Sequence, residues 1–465
     1  MDTSALQAAL DEKASAKHVP GVSVGVLHKG VEHYAFFGVT SVENPLPVDS
    51  TTLFQFGSTG KTFTATAIMI LAEQGKLSLD DKVRKHVPEL VLKDEDVARE
   101  VTVLQLLNHT GGWDGDFFED TGSGADALEK YVALMGGLRQ VSPLGANVSY
   151  NNAALSLAGR LIEKVTGLTY EAAIDELILK PLGLTMTFAF RDEIMTRRFA
   201  VGHNYKDGDN AFHIARPWGM PRSATPAGGF SANARDQLAW ARFHLGAGTS
   251  ADGTQVLSKA SIDLMKQPTA HCPGNALGDA VGISWLLSDI DGVQIVKHGG
   301  TTIGQYSEFQ LVPEHDFAVI SMSNGSPDGS VLNKEIVEWA LEAFCGLEST
   351  LPETVSLSDE ELAAYTGRFE SIAAFVVVAA DNGRLKIDFE MKQETKEMLQ
   401  AMGEDPDQEQ PSIFVGIQKA DPDRYVGVEG DATGMVGYFQ RDDSGTVVTI
   451  NLGGRDASRL SPVAS

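Results

Sequence analysis

The chain has 465 residues, 43% of them hydrophobic, which is enough apolar material for a packed core and for two or three domains. Lys and Arg number 37 against 63 Asp and Glu, and the formal net charge of -26 argues against nucleic acid and anionic membrane surfaces, which need a basic patch. No apolar run of about eighteen residues occurs, so no membrane span is predicted, and Met1-Asp2-Thr3-Ser4-Ala5-Leu6 lacks the pattern of a leader; the expectation is a soluble, untargeted, cytoplasmic chain.

From Asp2 to about Lys17, Leu6, Leu10 and Ala14 recur on one helical face, and Pro20-Gly21 ends the segment. Val22 to Leu27 and Val31 to Phe37 read as strands of a hairpin turned at Lys29-Gly30. Phe56-Gly57-Ser58-Thr59-Gly60-Lys61-Thr62 then opens a run rich in Ala, Leu, Ile and Met, with no Pro or Gly before Gly75, which predicts a largely buried helix ending there. Residues i and i+3 on a helix lie about 5–6 Å apart at Cβ, so the Lys61 amine reaches the Ser58 hydroxyl. A serine is a weak nucleophile until a base takes its proton, and a lysine in apolar surroundings loses preference for its charged form. A capping serine followed by a solvated lysine gives the same pattern. Gly60-Lys61-Thr62 also matches the tail of a phosphate loop, but such a loop needs a glycine where this chain has Gln55.

Val101 to Leu107 reads as a helix closed by Asn108-His109-Thr110-Gly111-Gly112, where His109 is more simply a backbone-bonded residue than a catalytic one. Trp113 to Gly124, rich in Gly and Asp, is expected to be irregular and to form a cleft wall. Tyr150 and Asn152 lie before the helix Ala153 to Gly167. They are either a packed ring and a cap, or a phenol for proton transfer and an amide for holding substrate. Arg191 to Pro226 is expected to be irregular pocket material, and Ala234 to about His244 a helix capped by Ser231 or Asn233. Ile283 to Leu287 and Val293 to Val296 read as strands. His298-Gly299-Gly300-Thr301 follows the second, and glycines there let backbone N–H groups face a ligand. Ser307 to Pro313 and Phe317 to Ser323 alternate as antiparallel strands, and Asn333 to Cys345 is helical. Cys272 and Cys345 have no partners at metal-ligand spacing, so no disulfide, metal or cofactor is expected.

Residues 347–358 read as a linker between a domain of residues 1–346 and one of residues 359–465. In the second, Phe375 to Ala380, Leu385 to Phe389, Ser412 to Ile417, Tyr425 to Glu429, Met435 to Gln440 and Val447 to Ile450 predict a small antiparallel sheet or barrel, with Gln393 to Gln410 a polar, acidic insertion.

Ser58-x-x-Lys61, Tyr150-x-Asn152 and His298-Gly299-Gly300, in this order, resemble the three motifs of the serine β-lactamase and penicillin-binding-protein superfamily. The nearest likeness is to the class C-type branch, with its D-stereospecific aminopeptidases, D-alanyl carboxypeptidases and β-lactamase-like esterases. Leu106-Leu107-Asn108-His109-Thr110 and Pro181-Leu182-Gly183-Leu184 also resemble that branch, and the tail is similar to the lipocalin-like barrel appended to some of its peptidases. The resemblance implies an α+β fold: a two-lobed β-lactamase/transpeptidase-like domain, with an antiparallel sheet flanked by helices and a helical lobe, followed by a C-terminal antiparallel β-barrel-like domain. It implies that Ser58 is acylated, that Lys61 and Tyr150 share general base and acid duties, and that Asn152 holds the substrate amide. The backbone N–H groups of Ser58 and Thr301 would form the oxyanion hole beside Gly299 and Gly300.

His298 departs from the Lys-Thr-Gly of β-lactamases, since histidine near neutral pH is charged only in part. Lys297 is pointed away by strand alternation. The expected function is therefore a serine hydrolase that cleaves a small amide or short peptide through an acyl-enzyme, with D-stereospecificity left open. A carboxylesterase is the near alternative. A penicillin-binding sensor that acylates without turnover is the alternative from another class. The expected partner is a small-molecule or short-peptide substrate, and self-association is left open.

Overall fold

The computed structural model describes residues 3–206, 210–401 and 411–460. Helix α1 (Thr3–Ser15) buries Leu6, Leu10 and Ala14, as its periodicity predicts. Strands β1 (Gly21–His28) and β2 (Val31–Gly38) form the expected hairpin. β1 is buried along nearly its whole length and, apart from Ser23, carries no polar side chain before His28, as suits a strand covered by helices on two sides. The chain then leaves the sheet to build a helical lobe from α2 (Lys61–Glu73), α3 (Val103–Leu107), α4 (Ala127–Leu134) and α5 (Asn152–Thr166). It returns through α6 (Ala234–Leu245), which packs on the sheet. Six strands follow, β3 (Ala270–Asn275), β4 (Gly278–Val281), β5 (Leu286–Ile290), β6 (Val293–Thr301), β7 (Tyr306–Val312) and β8 (Phe317–Ser323), and then α7 (Asp328–Cys345).

These strands make one eight-stranded antiparallel sheet in the order β2-β1-β8-β7-β6-β5-β4-β3. α1 and α7 cover one face, where Leu10, Val24, Val319 and Ile336 meet. On the other face α6 merges with the lobe in a larger core that includes Phe63, Leu71, Leu155 and Trp240. α2 runs through its centre and is buried from Lys61 to Leu71. Each large apolar side chain buried there contributes roughly 1.5–3 kcal/mol, which offsets the desolvation of the Lys61 amine on the same helix.

The C-terminal part is a closed, eight-stranded, up-and-down antiparallel barrel: β9 (Gly367–Glu370), β10 (Ala374–Asp381), β11 (Arg384–Met391), β12 (Ile413–Gln418), β13 (Arg424–Gly427), β14 (Val436–Arg441), β15 (Val447–Leu452) and β16 (Arg455–Arg459), with β16 pairing back to β9. Phe369, Val376, Leu385, Ile387, Val415, Tyr425, Phe439 and Ile450 fill its interior. Sequence pattern predicts six of these strands. β9 and β16, which close the barrel, are short and carry one buried apolar residue each, Phe369 and Ala457.

Three local expectations change. The stretch Arg191 to Pro226 is more ordered than predicted, with a short helix at Arg191–Ile194 and a hairpin of His203–Lys206 with Ala211–Ile214. Rings at His203, Tyr205 and Phe212 hold that hairpin in a segment too short for a period to register. The strand expected from Ile283 begins at Leu286, because Ser284 adopts φ 59 and bends the chain. Of the polar insertion, Gln393–Ala401 is helix α8, and 402–410 lie outside the described residues.

Candidate active site

Ser58 sits in a 3-10 turn, Gly57–Gly60, that leads into α2. Gly57 holds φ +53, and a Cβ on it would lie 2.7 Å from the Thr301 nitrogen. A Cβ on Gly300 would lie 2.0 Å from the Phe56 carbonyl oxygen and 2.8 Å from the Ser58 nitrogen. Glycine at both places therefore lets the end of β6 run directly against the backbone of the Ser58 turn. Thr59 and Ser307 tie the two together: the Thr59 hydroxyl donates to the His298 carbonyl at 2.9 Å and the Ser307 hydroxyl to the Phe56 carbonyl at 2.8 Å.

Ser58 faces the cleft, and Lys61 is fully buried behind it. Lys61 Nζ lies 2.9 Å from Ser58 Oγ, 2.6 Å from Asn152 Oδ1 and 2.6 Å from the Ala227 carbonyl oxygen. Burial, and next the Arg455 charge, push the amine well below its ordinary pKa, with Asp116 opposing. A neutral amine has two N–H donors and one lone pair. With Asn152 and Ala227 on two donors, the neutral form keeps its lone pair for the Ser58 O–H, whereas the protonated form donates its third N–H to Ser58 Oγ.

Tyr150 packs over this amine, with Nζ 4.8 Å from the ring centroid. Burial raises its phenol, and a hydrogen bond with Ser58 acts in the opposite sense. His109 packs against the Tyr150 ring with centroids 4.4 Å apart, and its Nδ1 accepts the Asn151 N–H at 3.1 Å. The expected backbone role of His109 is thus observed. Asn151, not Asn152, caps α5: its Oδ1 accepts the Ala154 N–H at 2.8 Å and its amide donates to the Trp113 carbonyl at 2.9 Å. Asn152, freed from capping, turns into the site.

His298 is buried and donates from Nδ1 to the Gly299 carbonyl at 2.7 Å. Burial above all pushes it down to about 3, so the ring is neutral at ordinary pH. Lys297, one residue earlier, is not among the residues lining the cleft. The cleft has a volume of about 890 Å³. Its walls carry Ser58, Tyr150, Asn152, His298 and Gly299-Gly300-Thr301. No group of His, Cys, Asp and Glu among the described residues is arranged to hold a metal ion, and none of their helices is long and apolar enough to cross a membrane.

Two residues that pattern reading does not single out complete the geometry. Asp116, in the predicted irregular wall, accepts from Asn152 Nδ2 at 2.7 Å. Arg455, the first residue of β16, pairs with the same carboxylate at 2.5 and 3.1 Å and stacks its guanidinium 4.9 Å from the Tyr150 ring centroid. Burial would raise the Asp116 carboxyl, but Arg455 and Asn152 outweigh it and hold it below its ordinary value. The barrel also grips the chain leading into α5. The Tyr150 N–H donates to the Gly454 carbonyl at 2.8 Å, the Asp456 N–H to Ser149 Oγ at 3.1 Å, and Asn147 Nδ2 to Asp456 Oδ2 at 2.8 Å. A pair of Gly and Arg in a polar turn gives no sequence signal for this.

A family model described as Beta-lactamase matches residues 6–342. Penicillin-binding protein 4 of Amycolatopsis lactamdurans is 35% identical over 322 residues, 69% of this chain and 84% of that protein. Among solved structures, SurE superposes with a TM-score of 0.77 at 23% identity, covering 98% of this chain and 99% of that one, and SurE with D-Leu gives 0.75. The D-amino acid amidase from Ochrobactrum anthropi SV3, complexed with L-phenylalanine amide, has a TM-score of 0.62 at 23% identity and covers 74% of this chain and 98% of that one. At such identities the three solved structures speak for the fold alone.

Proposed function

The chain belongs to the beta-lactamase family, and from that premise we propose that it is a serine hydrolase acting through an acyl-enzyme on Ser58, with a small amide or short peptide as substrate. The observation that carries this is the Lys61 amine, fully buried, bonded to Asn152 Oδ1 and the Ala227 carbonyl and 2.9 Å from Ser58 Oγ, so that its neutral form has a lone pair for the Ser58 hydroxyl. In the first step Lys61 Nζ takes the Ser58 proton as Oγ bonds to the substrate carbonyl carbon. The resulting oxyanion is assigned to the N–H groups of Ser58 and Thr301, a reading supported by the close approach of the two backbones at Gly57 and Gly300. Lys61 and Tyr150 pass the proton to the leaving nitrogen as the C–N bond breaks. Water then enters along the same proton route reversed, and the acyl group leaves as the acid.

Substrate chemistry follows from His298. A neutral imidazole offers no fixed cation for a substrate carboxylate, which favours uncharged amides over β-lactams. The structural neighbours solved with D-Leu and named a D-amino acid amidase make D-configured amides the first substrates to try. An ester passes through the same tetrahedral intermediate, so a carboxylesterase is the second candidate. One observation favours acylation without turnover: Asp116, the acid nearest Asn152, is already bound by Arg455 and so is a poor base for deacylation. On this reading the chain comprises a hydrolase domain, 1–346, a linker, 347–358, and a lipocalin-like domain, 359–465, whose filled interior supports a structural role.

Intact-mass labelling with a fluorophosphonate, on wild type and Ser58→Ala, is the test, alongside turnover of a D-aminoacyl anilide and a p-nitrophenyl ester. Labelling that disappears in Ser58→Ala, with anilide turnover, is the expected result. Ester turnover alone would reassign the enzyme as an esterase, and lasting β-lactam labelling without hydrolysis would make it a binder. A folded wild type that resists labelling would overturn the nucleophile.

A further inference from the structure

We propose that Asp116 and Arg455 are positioning residues: their ion pair, formed between the helical lobe and the barrel, locks the Asn152 amide with its oxygen on Lys61 and balances the charge around that amine. The barrel is in this sense part of the active site. This rests on Lys61 serving as the base for Ser58.

The geometry is a continuous chain of contacts. Arg455 donates to both Asp116 oxygens, at 2.5 and 3.1 Å, Asn152 Nδ2 donates to Asp116 Oδ1 at 2.7 Å, and Asn152 Oδ1 lies 2.6 Å from Lys61 Nζ. A carboxylate can only accept. The Asn152 amide must therefore turn its nitrogen to Asp116 and its oxygen to Lys61. Remove the negative charge and nothing prevents the amide from flipping and presenting N–H to the amine, which would occupy the lone pair that Ser58 needs. The bidentate fork of Arg455 in turn fixes the plane of the carboxylate.

Charge balance is the second half. The ionisable groups disposed around Lys61 are Tyr150, His109, His298, Asp116 and Arg455. Burial keeps Tyr150, His109 and His298 neutral. The remaining two charges are opposite and paired. Taking away Arg455 leaves a carboxylate that favours the charged amine; taking away Asp116 leaves a guanidinium that favours the neutral one. The two single substitutions must therefore move the protonation of Lys61 in opposite directions, a response that general loosening of the fold does not produce.

The test uses the full chain as Arg455→Gln, Asp116→Asn, the double variant and Arg455→Lys, with the rate of fluorophosphonate attachment to Ser58 followed against pH by intact mass. Expected are a rise of the acidic limb by about one pH unit in Arg455→Gln, a fall of similar size in Asp116→Asn, and a return to within about half a unit in the double variant. Arg455→Lys keeps the charge and loses the fork, so its limb stays within about half a unit while its plateau rate falls. Limbs that coincide in all variants, or that shift in one direction in both single variants, overturn the proposal. A wild type that is not labelled at all would instead overturn the base assignment beneath it. Should Asp116→Asn fail to fold, the Arg455 pair still decides the charge claim.

Discussion

At the scale of single residues, the site depends on what is missing as much as on what is present. Gly300 is the clearest case, because a methyl there would overlap the Phe56 carbonyl oxygen at 2.0 Å and crowd the Ser58 nitrogen at 2.8 Å. Gly300→Ala must push the end of β6 off the Ser58 turn and spoil the pair of N–H donors proposed for the oxyanion. An oxyanion donor is worth roughly 3–4 kcal/mol in the transition state, so kcat should fall about 100-fold or more while KM changes little, as steady-state kinetics on any accepted substrate will register. Buried histidines give a second prediction. His244 lies fully buried against Trp240, Phe243 and Trp285, and burial pushes it well below its ordinary pKa. Between that depressed value and the unfolded value near 6.5, the unfolded chain binds a proton the folded chain refuses. This stabilisation is complete above about pH 6.5 and is lost as pH falls, by up to about 1.4 kcal/mol per pH unit. His244→Phe should remove about 2 kcal/mol of the stability lost between about pH 7 and pH 5 in urea melts, and parallel curves for the two proteins would refute it.

At the scale of elements, α5 is the hinge between packing and chemistry. Its cap, Asn151, satisfies the Ala154 N–H and the Trp113 carbonyl, and the next residue is Asn152. Replacing Asn151 by Ala removes a cap worth about 1 kcal/mol and leaves the Trp113 carbonyl unpaired, so a stability loss of about 2 kcal/mol by chemical denaturation is expected, with a fall in kcat because Asn152 loses its anchor. The same segment explains what sequence could reveal. Ser58 with Lys61, and Tyr150 with Asn152, stand at fixed spacings within single elements, and those spacings follow from helix and turn geometry. Asp116 and Arg455 meet across 339 residues of chain, and no local period encodes such a pair. The strand that delivers Arg455 is equally silent: Arg455-Asp456-Ala457-Ser458-Arg459 buries Asp456 and Ala457, a polar and a small side chain where alternation would need large apolar ones. Asp456 is buried because Asn147, Asn451 and Tyr438 hold it, a tertiary reason invisible in the pattern. The large sheet was easier to read, since β1 and β8 are near-continuous apolar runs between turn residues.

At the scale of the whole molecule, charge is the property that acts at a distance. The net charge of -26 sets a negative potential around the protein, and the cleft concentrates it. Among the described residues lining the cleft, the acids are Asp116, Glu119, Glu308 and Glu394 and the one basic side chain besides the neutral His298 is Arg455. Asp116 and Arg455 cancel, and Glu308 is partly buried beside the cations Lys297 and Lys334, so Glu119 and Glu394 set the sign met by an approaching molecule. Low-dielectric walls focus such a field and change encounter rates by about ten-fold or more, while salt near 1 M shortens its reach to about 3 Å. A cationic phosphonate should therefore label Ser58 at least about ten times faster than an anionic one of equal size at low ionic strength, and the two rates should converge as salt is raised toward about 1 M. Convergence separates steering from contact, since a preference fixed by a close hydrogen-bonded pair inside the cleft would survive the salt. Rates that are equal at low salt would mean that the carboxylates exert no net steering on entry, and the cleft would then be open to the carboxylate-bearing substrates that a neutral His298 gives no reason to expect.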